Sequence, residues 1–190
     1  MKPQLGDTIL NRYTLVSSLR EEPGIQAWKA SDRVLAKDCQ LFIITNRSAF
    51  AAIDELAGRM AATRPDRVIP VLKYRMESDV LLIVMPVDSG QCLTDYMVDT
   101  AKPLSYSAIR SIIGECANVL REVIADTPSG IVITTDTVRV TTSGVQIADA
   151  PCATMLADTS ATDLRTDGPE RYAIRQLAAL LYTLLTRTPS

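Results

Sequence analysis

The stretch 130–149, GIVITTDTVRVTTSGVQIAD, places Asp136 just before a short hairpin pattern and Asp149 just after it. Val138 and Val140, then Val145 and Ile147, alternate with polar residues, and Thr142-Ser143-Gly144 supplies turn chemistry between them. Two carboxylates flanking a hairpin could hold a Mg²⁺ ion for phosphate chemistry. They are equally the residue type that caps surface turns, and the residues alone leave both readings open. The remaining chemical inventory is thin. The 190 residues include no histidine, which removes Ser-His-Asp triads, Cys-His dyads and histidine metal sites together. Cys39, Cys92, Cys116 and Cys152 form no CxxC pair and read as four reduced thiols, some of them buried.

A net charge of −2 gives no basic footprint for nucleic acid. With 47% hydrophobic and 22% charged residues, the composition is that of a globular chain, long enough for one domain or two small lobes. The opening residues, MKPQLGDTIL, lack the apolar core of a signal peptide. The most apolar strip, VLLIVMPV at 80–87, is too short to span a bilayer.

These candidates need elements to hold them. Residues 12–19, 25–31, 39–46, 71–76 and 80–87 are rich in β-branched side chains and separated by turn or charged residues, which predicts five strands. Residues 48–62 carry Ala, Leu and Met at helical spacing, and Arg64-Pro65 marks the helix end. In 105–127, Ile109, Ile112, Ile113, Cys116, Leu120, Val123 and Ile124 make one apolar stripe, with Ser105 as N-cap. Residues 152–170, dense in Thr and Asp, read as a loop. The final helix, 173–186, is apolar on more than one face, which predicts thorough burial. Trp28 is expected to pack within the sheet. MPVDSG at 85–90 is a hinge candidate that divides the chain into 1–87 and 88–190.

This order of elements resembles the eukaryotic-type Ser/Thr protein kinase fold as bacteria use it, from about Gly6 to Pro189. NRYTLVSSL is similar to the opening strand of such domains. AWKASDRVLAKDCQLFII, with Ala30 and Asp32, is similar to their second and third strands. LLIVMPVDSGQCLTDYM resembles the fifth strand, hinge and following short helix. LAALLYTLLTRTP resembles the F-helix phrase. The resemblance implies an α+β, bilobal, kinase-like fold. Its N-lobe, 1–87, would hold a five-stranded antiparallel sheet and helix C at about 48–62, and 88–190 would form a truncated, mainly helical C-lobe. More narrowly, 130–149 and 163–186 resemble pseudokinase domains of actinobacterial MviN-type lipid II flippases.

Carried over position by position, the resemblance implies lost catalysis. Arg20, Glu22 and Ile25 stand where a kinase has its three phosphate-covering glycines, and Glu21 and Glu22 would repel a polyphosphate. Phe42 stands at the third-strand lysine position. An ion pair there, at about 4 Å and an effective dielectric near 20, would be worth roughly 4 kcal/mol. Lys29 and Lys37 are close in sequence but on another strand and at the strand start. Glu55, the helix C glutamate, then has no lysine partner, and a solvated position or a salt bridge to Arg59 is expected instead. Asp136 aligns with the catalytic-loop asparagine, with about four residues of that loop absent, and Asp149 aligns with the metal-binding aspartate in the phrase Asp149-Ala150-Pro151. A positioned acid–base group is worth on the order of 10²–10⁴ in rate.

The implied function is a catalytically inactive pseudokinase acting as regulatory scaffold, with no catalytic, cofactor-binding or metal residues. The alternative is a nucleotide sensor that binds ATP without phosphotransfer. Thr154, Thr159, Thr162, Thr166, Thr186 and Thr188 are candidate phosphosites for a Ser/Thr kinase. A phosphothreonine adds about −1.5 to −2 charge and would suit a forkhead-associated partner domain. The resemblance places the chain in the cytoplasm, tethered to the inner face of the plasma membrane through a parent membrane protein, in control of peptidoglycan precursor export.

Overall fold

The computed structural model describes residues 3–77, 79–98, 103–126, 131–153 and 168–186. It contains two compact units, Met1–Ala62 with Pro70–Val87, and Thr63–Ile69 with Asp88–Ser190, so residues 63–69 group with the second unit.

In the first unit, Pro23 sets the first central position of a turn and Gly24, at φ +80°, takes the second. Strand β2 (Tyr13–Glu22) therefore folds back onto β3 (Ile25–Asp32). Strand β3 pairs with β4 (Lys37–Ile44), β4 with β6 (Leu81–Pro86), and β5 (Lys73–Met76) closes that edge. The short β1 (Thr8–Ile9) closes the other edge, giving the antiparallel order β1-β2-β3-β4-β6-β5. The expected five strands thus become six. Two residues cannot display alternation, and β1 exists because Leu10 and Asn11, both at φ +53°, turn the chain back along β2.

Alternation along β4 sends Cys39, Leu41 and Ile43 to a cluster with Tyr13, Leu15, Trp28, Ala30, Leu82 and Val84. Gln40, Phe42 and Ile44 point to the other face and are buried too. Trp28 packs within the sheet as expected, its indole N–H donating to Gln26 Oε1 at 3.3 Å. Asn46 accepts from the Ser48 amide and opens a 3₁₀ turn, Arg47–Ala49, that leads into α1 (Phe50–Thr63). Phe50, Ile53, Leu56, Ala57 and Met60 form the buried stripe of α1, and Arg64, at φ +45°, ends it ahead of Pro65.

Asp32, at the end of β3, organises the neighbouring turn. Its carboxylate accepts from Arg12 Nε (2.8 Å), Arg12 Nη2 (2.6 Å), and the amides of Val34 (3.0 Å) and Leu35 (3.3 Å). The Arg12 bonds outweigh the opposing effect of burial and hold the Asp32 pKa down at about 2.

In the second unit, β7 (Gln91–Cys92) pairs with β8 (Val138–Thr141), and β8 pairs with β9 (Gly144–Ile147) in the register Val138↔Ile147 and Val140↔Val145. This is the expected hairpin with one more strand beside it. Helix α2 (Leu93–Val98) follows β7, and α3 (Tyr106–Asp126) starts at Ser105, whose Oγ accepts from the Ala108 amide at 3.2 Å. Residues 63–69 lie along β9: the Ile147 amide donates to the Arg67 carbonyl (2.8 Å) and the Ile69 amide to the Ile147 carbonyl (2.9 Å). Glu115 of α3 fastens this arrangement, bonding the Arg67 guanidinium and accepting from the Val145 amide at 2.8 Å. Gly144, at φ +123°, has no room for a Cβ beside those two side chains.

The last helix, α4 (Pro169–Thr186), packs on α3 and buries Tyr172, Ala173, Leu180, Thr183 and Leu184. Its predicted thorough burial is corrected by the structure: Ile174 is 65% exposed, Tyr182 56%, Leu185 50% and Leu181 37%. Among the described residues α3 covers one stripe of α4, and the residues of a second apolar stripe are exposed. No helix among the described residues is long and apolar enough to cross a membrane.

With Asp32 held at a pKa of about 2, its stabilisation is complete above the unfolded value near 4 and fades as pH falls through about 2. Asp32→Asn is expected to lower the melting temperature at pH 7. The gap to the parent should close as pH drops from about 4 to about 2, as followed by circular dichroism melts. A gap unchanged across that range would refute the assignment.

Candidate functional site

Phe42 is 0% exposed, on β4, opposite Ala27 of β3 and Ile83 of β6. That position lies in an apolar row across the sheet. Lys29 pairs with Asp38 at 2.8 Å, and Lys37 lies exposed at the first residue of β4. Glu55 is on the exposed side of α1 and bonds Arg59 one turn later at 2.5 Å, the pairing expected from spacing.

The turn between β2 and β3 is pinned. The Gly24 carbonyl accepts from the amides of Thr45 (2.8 Å) and Asn46 (3.2 Å). A Cβ on Gly24 would stand only 2.7 Å from Asn46 Cβ. A glycine-rich flap over phosphates needs movable backbone with amides directed at a ligand, whereas this turn is fastened to the end of β4. Glu21, Glu22, Pro23, Gly24, Ile25 and Ile43 border a groove of about 570 Å³ whose rim is acidic.

In the second unit, Ile131, Val132 and Ile133 are buried and lead into a turn built by Thr137. Thr137, 3% exposed, donates from Oγ1 to the Val132 carbonyl at 2.8 Å and accepts from the Thr134 amide at 2.9 Å. Gln176 of α4 accepts from the Ile133 amide at 2.5 Å, and the Thr94 amide donates to the Thr135 carbonyl at 3.1 Å. Thr94, Thr137 and Gln176 thus hold the segment that precedes the hairpin. No sequence signal singled them out: Thr94 and Gln176 bond residues distant in the chain, whereas Thr137 bonds within its own turn.

Asp136 is exposed and accepts from Thr94 Oγ1 at 2.7 Å. The side chain that caps this turn is Thr137, and Asp136 reaches α2. Asp149 is buried, at φ +63°, with its carbonyl accepting from the Cys152 amide at 2.6 Å. Burial, reinforced by the charge of Asp149, pushes the enclosed Cys152 thiol well above its ordinary pKa. Arg139 of β8 pairs with Asp88, which raises its pKa against the effect of burial. One aspartate is exposed and the other buried, and among the described residues no three Asp, Glu or Cys side chains gather as metal ligands.

Thr186 closes α4, exposed, with Oγ1 donating to the Tyr182 carbonyl at 2.8 Å. Thr154, Thr159, Thr162, Thr166 and Thr188 lie outside the described residues, as does most of the expected loop 152–170.

Among solved structures, the chain is similar to the Ser/Thr kinase Rad53, residues 1–466 in complex with AMP-PNP, with a TM-score of 0.73 and 16% sequence identity. The fold is kinase-like. The match covers 94% of this chain and 49% of that one, so the chain spans about half the length of the solved relative. No protein-family model and no curated protein sequence matches.

Removing the Thr137 hydroxyl leaves a buried carbonyl and an amide without their partner, while Asp136 keeps an acceptor when changed to Asn. Thr137→Val should lower the unfolding free energy by about 1–3 kcal/mol and Asp136→Asn by less than about 1 kcal/mol. Urea unfolding of both variants measures this, and equal effects would refute the assignment of Thr137 as the turn's anchor.

Proposed function

We propose that this chain is a pseudokinase, a kinase-like domain without phosphotransfer that serves as a regulatory, protein-binding scaffold. Its first unit stands for the small lobe and its second for a shortened large lobe. The observation that carries this reading is Phe42, wholly buried between Ala27 and Ile83. A kinase needs at that strand position an ammonium group for the α- and β-phosphates. The pinned Gly24 turn and the exposed carboxylates of Glu21 and Glu22 support the same conclusion, since both oppose a bound triphosphate.

The narrower likeness of 130–149 and 163–186 to flippase-linked pseudokinases extends the proposal. A Ser/Thr kinase would modify a threonine of 154–166 or Thr186, and a forkhead-associated domain would read it. The parent protein would act in peptidoglycan precursor export at the inner face of the membrane. The density of Thr and Asp in 154–167 supports this extension.

Titration with ATP and Mg²⁺ is expected to leave the melting temperature unchanged. A ligand at 100 times its Kd would instead add about 2.7 kcal/mol of stability, an outcome that would favour a nucleotide sensor. Incubation with radiolabelled ATP should give no autophosphorylation, and signal above that of a heat-denatured control would overturn the proposal. Phosphopeptide mapping after treatment with an active Ser/Thr kinase tests the extension separately, and an unmodified chain would end it.

A further inference from the structure

The turn between β3 and β4 carries aliphatic side chains where turns are ordinarily polar. Gly, Asn, Asp, Ser and Pro dominate such positions, whereas this turn reads Arg33-Val34-Leu35-Ala36-Lys37. Val34 is 69% exposed and Leu35 60%, and Ala36 takes φ +50°, a backbone region that favours glycine. The turn is nevertheless held firmly. The Asp32 carboxylate accepts from the amides of Val34 and Leu35 while Arg12 bonds both of its oxygens, and the Arg33 amide donates to the Arg12 carbonyl at 3.0 Å. Two aliphatic side chains are thus fixed outward at the end of a hairpin. Arg33 and Lys37 flank them, both exposed, and among the described residues neither has an ion-pair partner. The other charges of this hairpin end are already matched, Asp38 with Lys29 at 2.8 Å and Asp32 with Arg12.

We propose that this tip docks on an anionic lipid surface, with Val34 and Leu35 entering the headgroup region and Arg33 and Lys37 set against the lipid phosphates. Charge complementarity selects that occupant. An apolar pair between two unpaired cations matches an interface that is anionic at its surface and apolar just below it. The chain as a whole carries a net charge of −2, so an anionic surface repels it on average and the cationic tip decides which end approaches. A second copy meeting it tip to tip would bring cation against cation in either direction, since cations are the only unmatched charges there. A protein partner would need a pocket shaped to two protruding side chains, whereas a layer of lipid headgroups conforms to them. The turn is already folded, so docking orders little backbone. Two apolar residues make a small anchor, and attachment through one such tip is weak and reversible. Each cation should strengthen partitioning about fivefold. Docking of this kind is independent of whether the domain binds nucleotide.

Co-sedimentation of the 190-residue chain with a large excess of phosphatidylcholine vesicles containing about one-third phosphatidylglycerol tests it. At low salt more chain should pellet with these vesicles than with phosphatidylcholine alone, and added salt should release it. Arg33→Gln with Lys37→Gln should lower partitioning about 25-fold, and Val34→Ser with Leu35→Ser about tenfold, both with an unchanged circular dichroism spectrum. In a Cys92→Ser background, an environment-sensitive fluorophore on Val34→Cys should shift to the blue on the anionic vesicles, and the same label on Glu55→Cys should not. Equal pelleting with anionic and neutral vesicles overturns the proposal. So does binding that either tip variant leaves unchanged. A dimer in sedimentation velocity that Val34→Ser with Leu35→Ser abolishes would assign the tip to a second copy and overturn it as well.

Discussion

Strand β4 is buried on both faces from Cys39 to Ile44, and the first unit is organised around that constraint. A strand in the middle of a sheet with apolar layers above and below has no place for a solvated charge. In a kinase one position of this strand breaks the rule, and a phosphate compensates the buried ammonium. Here Phe42 restores the rule, and the row Ala27, Phe42, Ile83 runs unbroken across three strands. Desolvating a charge costs several kcal/mol unless a partner is present. An apolar residue at this position is thus what a strand buried on both faces accommodates most readily.

The second unit is held together at the corresponding place by polar contacts. The segment before the hairpin is held by Thr137, Thr94 and Gln176, neutral groups that hydrogen-bond its backbone. Charge is present, but it is structural. Glu115 joins α3, the hairpin and residues 63–69, Arg139 pairs with Asp88, and Asp32 pairs with Arg12 at the end of β3. These three carboxylates fasten elements together.

The similarity to Rad53 at 16% identity fits this division of labour. A backbone arrangement persists wherever apolar periodicity and turn chemistry persist, and neither depends on the few side chains that perform chemistry. Asp32 illustrates the point. It appears in the sequence as part of a family phrase, and its work in the folded chain is to hold the turn at Val34 and Leu35 against Arg12.

Most of the sheet, the helices α1 and α3, the hairpin, the Ser105 cap and the Glu55–Arg59 pair were legible in the residues. Each follows from local period, local turn chemistry or i,i+4 spacing. The family phrases singled out Phe42, Asp136 and Asp149, again by local identity. Tertiary structure alone decided the rest. Strand β1 is too short to have a period and exists only by pairing with β2. The anchoring of 63–69 on β9 depends on Glu115, 48 residues from Arg67. Thr137, not Asp136, caps its turn because its hydroxyl reaches Val132 in the folded chain. The second apolar stripe of α4 reads from sequence as buried. Whether such a stripe meets protein or water depends on how many neighbours the helix has, and no residue of the helix records that number.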